Sequence, residues 1–387
     1  MPVTPAWWYR SQPTLAAQAL APFGAAYGAV TARRMARARP PTPALPVICV
    51  GNFTAGGAGK TPVTIALAHL LDELGYAPGI LTRGYGAALH GPLLVSPTNH
   101  TARQVGDEAL LLAQAAPTVL ARDRMGGADK LAAFGCNVAV MDDGLQSRRL
   151  AFALSLAVVD GQVGIGNGLC VPAGPLRAPV ATQRRFVDGV IMLDSQEGTP
   201  RAPGATMDAG LAAKLDAAGA DGRALAVFAA RMRPDQATAR ALMGRSVIAY
   251  SGIARPEKFF ATLSASGAKV VETLRFADHH VFTNRDAQRI LASLFRRRSQ
   301  AGGLGGPDAP VLVTTRKDAV RLGLVDPASG KTPHAVPQDA AGTPLEHLAA
   351  ETLVVDARCT FSDTDDARLR SVLRSTLGAT LGAPASG

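Results

Sequence analysis

The run Thr54-Ala55-Gly56-Gly57-Ala58-Gly59-Lys60-Thr61 has the residue types that hold a nucleotide phosphate chain. Glycines let backbone N–H groups turn inward, a lysine reaches the outer phosphates, and a hydroxyl residue can ligate Mg²⁺. The strict pattern has a glycine where Thr54 stands. A second acidic group, Asp142-Asp143-Gly144, follows the apolar run Val138–Met141. Carboxylates at the C-terminal end of a buried parallel strand face the ligand crevice, so Asp142 and Asp143 are candidates to support a metal beside Thr61. Gly106-Asp107-Glu108 opens a helix, where acidic residues complement the helix dipole. Asp278-His279-His280 lies far downstream and reads alone as a surface cluster or a metal-ligand group. Brought together across a cleft, Asp107 and His279 could take a proton from an attacking hydroxyl, because imidazole titrates near neutrality.

These groups need a frame. Val47-Ile48-Cys49-Val50 reads as a buried strand running into the Gly-rich turn, and Thr61 to Leu74 reads as the following helix. Further apolar runs lie at 119–121, 138–141, 156–159 and 190–193, with helical stretches at 108–115 and 126–134. Apolar strands alternating with helices predict an α/β fold, a P-loop NTPase-like, mostly parallel sheet with helices on both faces. Around Glu197 to Gly204 the texture turns to Gly, Pro and Thr, and a smaller second α/β domain is expected beyond it. Its strands are predicted near 225–228, 247–250 and 311–314, and its helices at 256–266 and 285–298. The expected division is an N-terminal segment 1–40, a P-loop domain 41–222, a smaller α/β domain 223–350, and a C-terminal segment 351–387 that can return to the first domain. Residues 302–310 and 329–343 read as low-complexity loops and 382–387 as a frayed tail.

The 387-residue chain is 47% hydrophobic and 18% charged, which excludes global disorder. Four scattered cysteines without a CxxC pair argue against a disulfide scaffold or structural zinc site and fit a reducing compartment. The formal charge of +10 predicts an anionic partner. With only 5% aromatic residues, a stacking surface for single-stranded nucleic acid is not expected. The first acidic residue is Asp72, and six basic residues precede it. Trp7, Trp8 and Tyr9 stand near the N-terminus, and no charge occurs from Ser11 to Ala32. Leu15, Ala19, Phe23, Tyr27 and Val30 follow roughly helical spacing. Four readings stand side by side: an interfacial helix with aromatics at headgroup level, a membrane span, a cleaved leader, or a helix packed on the protein's own core.

Taken in order, the motifs resemble the tetraacyldisaccharide 4′-kinase family of lipid A biosynthesis. The resemblance runs from about residue 5 to 325, through Val50-Gly51-Asn52, the 56–62 loop, Arg83-Gly84-Tyr85-Gly86, Gly106-Asp107-Glu108 and Asp123-Arg124. It continues through Asp142 to Gln146, Gly166-Asn167-Gly168, Pro172 to Arg177, Gly252-Ile253, Pro256-Glu257, Asp278 to His280 and Lys317 to Val320. This family's loop characteristically lacks the first glycine, which accounts for Thr54. The resemblance implies transfer of the ATP γ-phosphate to the 4′-hydroxyl of a tetraacylated glucosamine disaccharide 1-phosphate. The partners it implies are this lipid A precursor and an anionic membrane surface, with ATP and Mg²⁺ as co-substrate and cofactor. The place implied is the cytoplasmic face of the bacterial inner membrane, peripheral or N-terminally anchored. Lys60 and Thr61 would then serve the phosphates and Mg²⁺ within the loop Thr54 to Thr61, Asp142 and Asp143 the metal, and Asp107 with His279 the hydroxyl proton. Arg83, Tyr85, Arg124, Gln146 and Arg177 would be candidate phosphate or sugar contacts. Ala178 and Arg316 depart from the family pattern, each standing where glutamate is usual.

Two other classes compete. A P-loop GTPase or metallochaperone needs a guanine reader, yet Thr315-Arg316-Lys317-Asp318 places Arg316 where Asn or Thr must precede the lysine. A basic nucleic-acid or membrane-tethering protein would present Asp107, Asp142 and Asp143 to the phosphates of a nucleic acid and repel them. Nucleic acid is therefore not expected as a partner, and no required protein partner is evident.

Overall fold

The computed structural model describes residues 5–10, 12–194, 225–300, 309–324 and 342–381. The apolar run before the glycine-rich loop forms the fully buried strand β1 (Val47–Gly51). In chain order there follow β2 (Pro78–Thr82), β3 (Leu93–Leu94), β4 (Thr118–Leu120), β5 (Val138–Asp142), β6 (Leu154–Asp160), β7 (Gly189–Asp194) and β8 (Ala226–Pro234). After these come β9 (Ser246–Ser251), β10 (Lys269–Arg275), β11 (Val311–Thr315), β12 (Thr352–Val355) and β13 (Ala357–Phe361). A nine-stranded sheet has the order β13-β8-β7-β6-β1-β5-β2-β4-β3, and a four-stranded sheet has the order β10-β9-β11-β12. The large sheet is parallel except for the edge pairs β13/β8 and β3/β4, and the small one is parallel throughout. The fold is α/β.

Chain order reverses at β1, where β5, β2 and β4 lie on one side and β6, β7 and β8 on the other. Ligands bind outside the carboxyl ends of strands at such a switch point, because adjacent loops there diverge and open a crevice. One face of the large sheet is covered by the helix Lys60–Glu73, whose Val63, Leu67, Leu70 and Leu71 are buried, and by the helix Asp363–Leu381 through Leu369, Leu373 and Leu377. On the small sheet the helix Pro256–Ala265 packs on one face and Asn284–Gln300 on the other.

The chain exchanges between the sheets at two adjacent points. The strand near 225–228, assigned by sequence to the second domain, belongs to the large sheet as β8, pairing parallel with β7 from Gly189↔Ala226 to Asp194↔Arg231. Its partner on the other side is β13, a strand of the C-terminal segment. Asp235 follows β8 and Asp356 separates β12 from β13, and the two are joined by the hydrogen bond Asp235 N to Asp356 O, 2.9 Å. Strand β8 has an ordinary half-buried pattern that fits either sheet; pairing alone decides its place. The expected boundary at 197–204, the division at 222/223, and residues 302–308, 329–341 and 382–387 lie outside the described residues.

The N-terminal helix Leu15–Arg37 turns a small-residue face, Ala17, Gly24 and Gly28 with Met35, to the protein. A Cβ on Gly24 would sit 2.6 Å from the Cys170 carbonyl oxygen, and one on Gly28 would sit 2.8 Å from Cys170 Sγ. Close backbone approach therefore docks this helix on the loop carrying the Pro172–Arg177 motif. Leu15, Phe23, Tyr27 and Val30 are exposed, and Arg33, Arg34 and Arg37 fall on that same side at helical spacing. No described helix is long and apolar enough to cross a membrane. Trp8, expected at headgroup level, is instead buried and donates from Nε1 to the Pro172 carbonyl at 3.0 Å. The four cysteines are buried and free.

Candidate active site

The glycine-rich loop joins β1 to the helix Lys60–Glu73. Gly59 caps that helix with φ +85°, and a Cβ there would lie 2.3 Å from Leu193 Cδ2, so neither conformation nor space admits a side chain. The loop is held from outside. Thr54 forms an isolated bridge with Leu176, Ala55 N donates to the Pro175 carbonyl, and Arg177 Nε donates to the Thr54 carbonyl at 3.1 Å. The positive end of the helix therefore lies at the loop, with Lys60 as its first residue.

Register places Asp142 beside Val50 at the end of β5. Asp142 is buried, and burial with the charges of Glu108 and Asp143 pushes its carboxyl up to about 7, against the pull of Lys60 and a Thr64 hydrogen bond. Asp143, at φ +60°, occupies a left-handed conformation that costs an ordinary residue about 1 kcal/mol. Its backbone N–H is fixed to the Val50 carbonyl at 2.9 Å. Lys60 Nζ stands 3.6 Å from Asp143 Oδ2 and Arg177 Nη1 stands 2.7 Å from Asp143 Oδ1. Burial opposes its charge, but these cations hold the Asp143 carboxyl below its ordinary value. The hydroxyl touching Asp142 is Thr64 Oγ1, at 3.4 Å, one turn beyond Thr61.

Across the crevice, the small sheet supplies His279, at φ +57°. Its N–H donates to the Gly252 carbonyl at 3.1 Å, and its Nδ1 lies 3.1 Å from Asp107 Oδ2. Asp107 heads the helix Asp107–Ala113 of the large domain, so sequence-distant groups 172 positions apart do form the carboxylate–imidazole pair. Ala254, two residues after Gly252, packs 3.5 Å from where a Gly57 Cβ would be, so the small domain also faces the loop.

The candidate substrate contacts divide. Arg83 and Tyr85 are exposed after β2, and the Tyr85 ring centroid is 6.3 Å from that of His279. Arg124 is buried at the start of the helix Arg124–Ala133 and donates to the Ala121 carbonyl at 3.1 Å. Burial and the neighbouring Arg83 charge bring its pKa down to about 10, so it stays cationic. Gln146 instead braces the loop: its Nε2 donates to the Asn52 carbonyl and to Gln183 Oε1, and its Oε1 accepts from Arg177 Nη1. Arg177 spends its hydrogen bonds on the Thr54 carbonyl, Asp143 and Gln146. Ala178 is buried, and its carbonyl accepts from Gln183 Nε2 at 2.6 Å. Arg316 spans from Gln114 Oε1 to Asp356 Oδ2, at the crossing between the sheets.

Arg321 and Thr64 escaped the sequence reading, and so did the ion pair of Lys317 with Glu108 at 3.0 Å. Arg321 reaches Asp107, the Gly252 carbonyl and Asp318. The available signal was the spacing of Lys317, Asp318 and Arg321 on one helical turn, just after a strand.

This fold and site define a P-loop nucleotide-binding protein of two α/β domains, with an acid–imidazole pair set across the cleft from the phosphate loop. A family model described as tetraacyldisaccharide-1-P 4′-kinase matches residues 16–350, and the chain belongs to that family. It is 50% identical over 319 residues to the tetraacyldisaccharide 4′-kinase of Methylobacterium sp. (strain 4-46), covering 82% of this chain and 88% of that one. With the protein of the same name from Methylobacterium radiotolerans it is 44% identical over 376 residues, 97% and 99% of the two chains. The crystal structure of the apo form of LpxK from Aquifex aeolicus in complex with ATP superposes with a TM-score of 0.63 at 21% identity, covering 93% of this chain and 99% of that one.

Proposed function

We infer that this chain transfers the γ-phosphate of ATP to the 4′-hydroxyl of a tetraacylated glucosamine disaccharide 1-phosphate. Family membership supports the activity. The observation that carries the site is Asp107 and His279 meeting at 3.1 Å across the cleft from the loop of Gly59 and Lys60. Loop N–H groups and Lys60 hold the phosphates, and the paired Asp107 and His279 take up the hydroxyl proton as one unit while the oxygen attacks phosphorus. Phosphoryl transfer depends mainly on such positioning and charge compensation. Arg83 and Tyr85 stand exposed beside His279 on the acceptor side, and buried Arg124 adds positive charge near Asp142 and Asp143. Purified protein with γ-radiolabelled ATP and the lipid disaccharide is expected to label the disaccharide. Label released only as inorganic phosphate would refute the assignment.

A divalent cation fits the donor set. Asp142 is a buried carboxylate whose charge is disfavoured by burial and two neighbouring acids, so a cation would relieve it. Among the described residues no group of three or more His, Cys, Asp or Glu could hold a metal. Mg²⁺ in nucleotide sites needs no such cage, since one or two carboxylates, phosphate oxygens and water suffice. Asp142, Asp143 and Thr61 would hold it, and bound Mg²⁺ would neutralise charge on the β- and γ-phosphate oxygens. Because the proton on Asp142 must leave first, Mg²⁺-dependent ATP binding should tighten as pH rises through about 7. Calorimetry in buffers of different ionisation enthalpy measures the released proton. The Asp142→Asn variant should lose that release; an equal release in both proteins would remove Asp142 from the cation site.

The exposed face of Leu15, Phe23, Tyr27 and Val30 beside the terminal arginines suits peripheral binding to an anionic bilayer, on the side of the membrane that holds ATP. Phe23→Glu with Val30→Glu should weaken binding to anionic vesicles by at least about tenfold, since each buried apolar side chain contributes about 1.5–3 kcal/mol. ATP affinity should hold. Unchanged vesicle binding would leave the helix a packing element alone.

A further inference from the structure

A second set of charges bridges the domains, on the side of the crevice that holds the glycine-rich loop. Asp160 ends β6, which lies next to β1 in the large sheet. Its register partner on β7 is Leu193, whose Cδ2 fills the space beside Gly59. The small domain sends two cations to it from the start of the helix Pro256–Ala265: Arg255 Nη1 and Lys258 Nζ both reach Asp160 Oδ2. The other oxygen, Oδ1, accepts from the Gln162 N–H at 3.0 Å. Arg255 directly follows Ala254, which packs against Gly57. The cluster is thus tied to the phosphate loop near both Gly57 and Gly59.

The charges in this cluster are unequal. One buried carboxylate meets two cations, so a surplus positive charge stands next to a loop built for phosphates. Lys258 by itself can neutralise Asp160, and Arg255 can therefore leave without stranding a buried anion. Its other contacts are light: Nη2 lies 3.3 Å from Gln162 Oε1, and the guanidinium carbon lies 5.9 Å from the Tyr9 ring centroid. The Arg255 side chain is 28% exposed, against 4% for its carboxylate partner. A guanidinium also presents paired, planar donors that match phosphate oxygens, which an ammonium does not.

We propose that Arg255 is a nucleotide-phosphate ligand supplied by the small domain. Asp160 holds it at the loop, Lys258 keeps Asp160 neutralised, and the phosphate chain of a nucleoside triphosphate draws the guanidinium onto itself. Its charge then adds to that of Lys60 against the charge spread over the phosphoryl oxygens. The proposal rests on the kinase reading above, which places ATP at this loop.

The test is calorimetric binding of ATP and of inorganic tripolyphosphate, a probe with phosphates and no base, to the full chain. Arg255→Met should weaken both by about tenfold or more, in line with the loss of a charge-assisted hydrogen bond. Asp160→Asn removes the competing charge with little change of shape, so both ligands should bind at least as tightly as to wild type. A cluster that only clasps the domains gives the opposite sign there, because either substitution opens the clasp. Arg255→Lys keeps the ion pair and the fold but lacks the paired donors, and its affinities should fall between those of wild type and Arg255→Met. Affinities unmoved in both Arg255 variants, or lowered by Asp160→Asn as much as by Arg255→Met, overturn the proposal. Wild-type protein that shows these shifts yet labels no lipid disaccharide would sink the kinase reading and leave the phosphate contact standing.

Discussion

Lys60→Ala is expected to slow phosphoryl transfer by about 10²–10⁴-fold, or roughly 3–5 kcal/mol of transition-state stabilisation. Lys60 is the loop's own side-chain cation, and its partner in this structure is Asp143 at 3.6 Å. In the transition state, charge spreads over the oxygens of the moving phosphoryl group, and a fixed ammonium there acts without reorganising water. Asp143 keeps Arg177 at 2.7 Å after the substitution, so the loop should stay folded. Melting temperature should change by no more than about 2 °C, because Asp143 keeps its second cation, Arg177. Single-turnover transfer of label from ATP separates the chemical step from binding. Wild-type rates in the variant would remove Lys60 from the site, and a collapsed melting temperature would recast it as structural.

The second large effect is on Asp107. Asp107→Ala removes the carboxylate that orients His279 and leaves Arg321 buried between the domains without its strongest partner. Losing the acid–base pair should cost about 10²–10⁴-fold in kcat. Arg321 keeps Asp318 Oδ1 at 3.0 Å, so losing one of its two carboxylate partners should cost about 1.5–3 kcal/mol of stability, or roughly 5 °C in melting temperature for a unit of this size. The pH dependence has a definite sign. The folded-state pKa of Asp107 lies below its unfolded value, so its contribution is present above the ordinary carboxylate pKa of about 4 and fades as pH falls through the folded value. The gap in melting temperature between wild type and variant should therefore narrow in acid. Asp107→Ala with Arg321→Met should recover stability without activity. Recovery of both would mean that the ion pair is only a strut.

Much of this arrangement could be read from residue order. Strand β1, the loop and the helix after it follow from an unbroken apolar run, three glycines and a periodic helix, all local properties. Strand β5 with Asp142 at its end is equally local. The place of the Trp8 side chain stayed open in the sequence because a tryptophan near an apolar stretch looks the same whether lipid or the Pro172 loop receives it. Gln146 and Arg177 were candidates for phosphate or sugar contacts, and the sequence could not foresee their bonds to the loop, since their donors suit a sugar phosphate as well as the carbonyls of Asn52 and Thr54. Strand β8 was placed in the wrong sheet because nothing in its own residues distinguishes β7 from β9 as a neighbour.

Residue types and spacing, then, were enough to place a glycine-rich loop between strand and helix, the acids that end β5 and an α/β class, because each needs only contiguous chain. The convergence of Asp107 with His279 and Arg321 came from docking two sheets, which meet through side chains 172 and 214 positions apart. Sequence separation carries no record of such distances. The roles of those three groups also depend on burial and on which oxygen each donor occupies, and a carboxylate acquires those properties only in the folded chain.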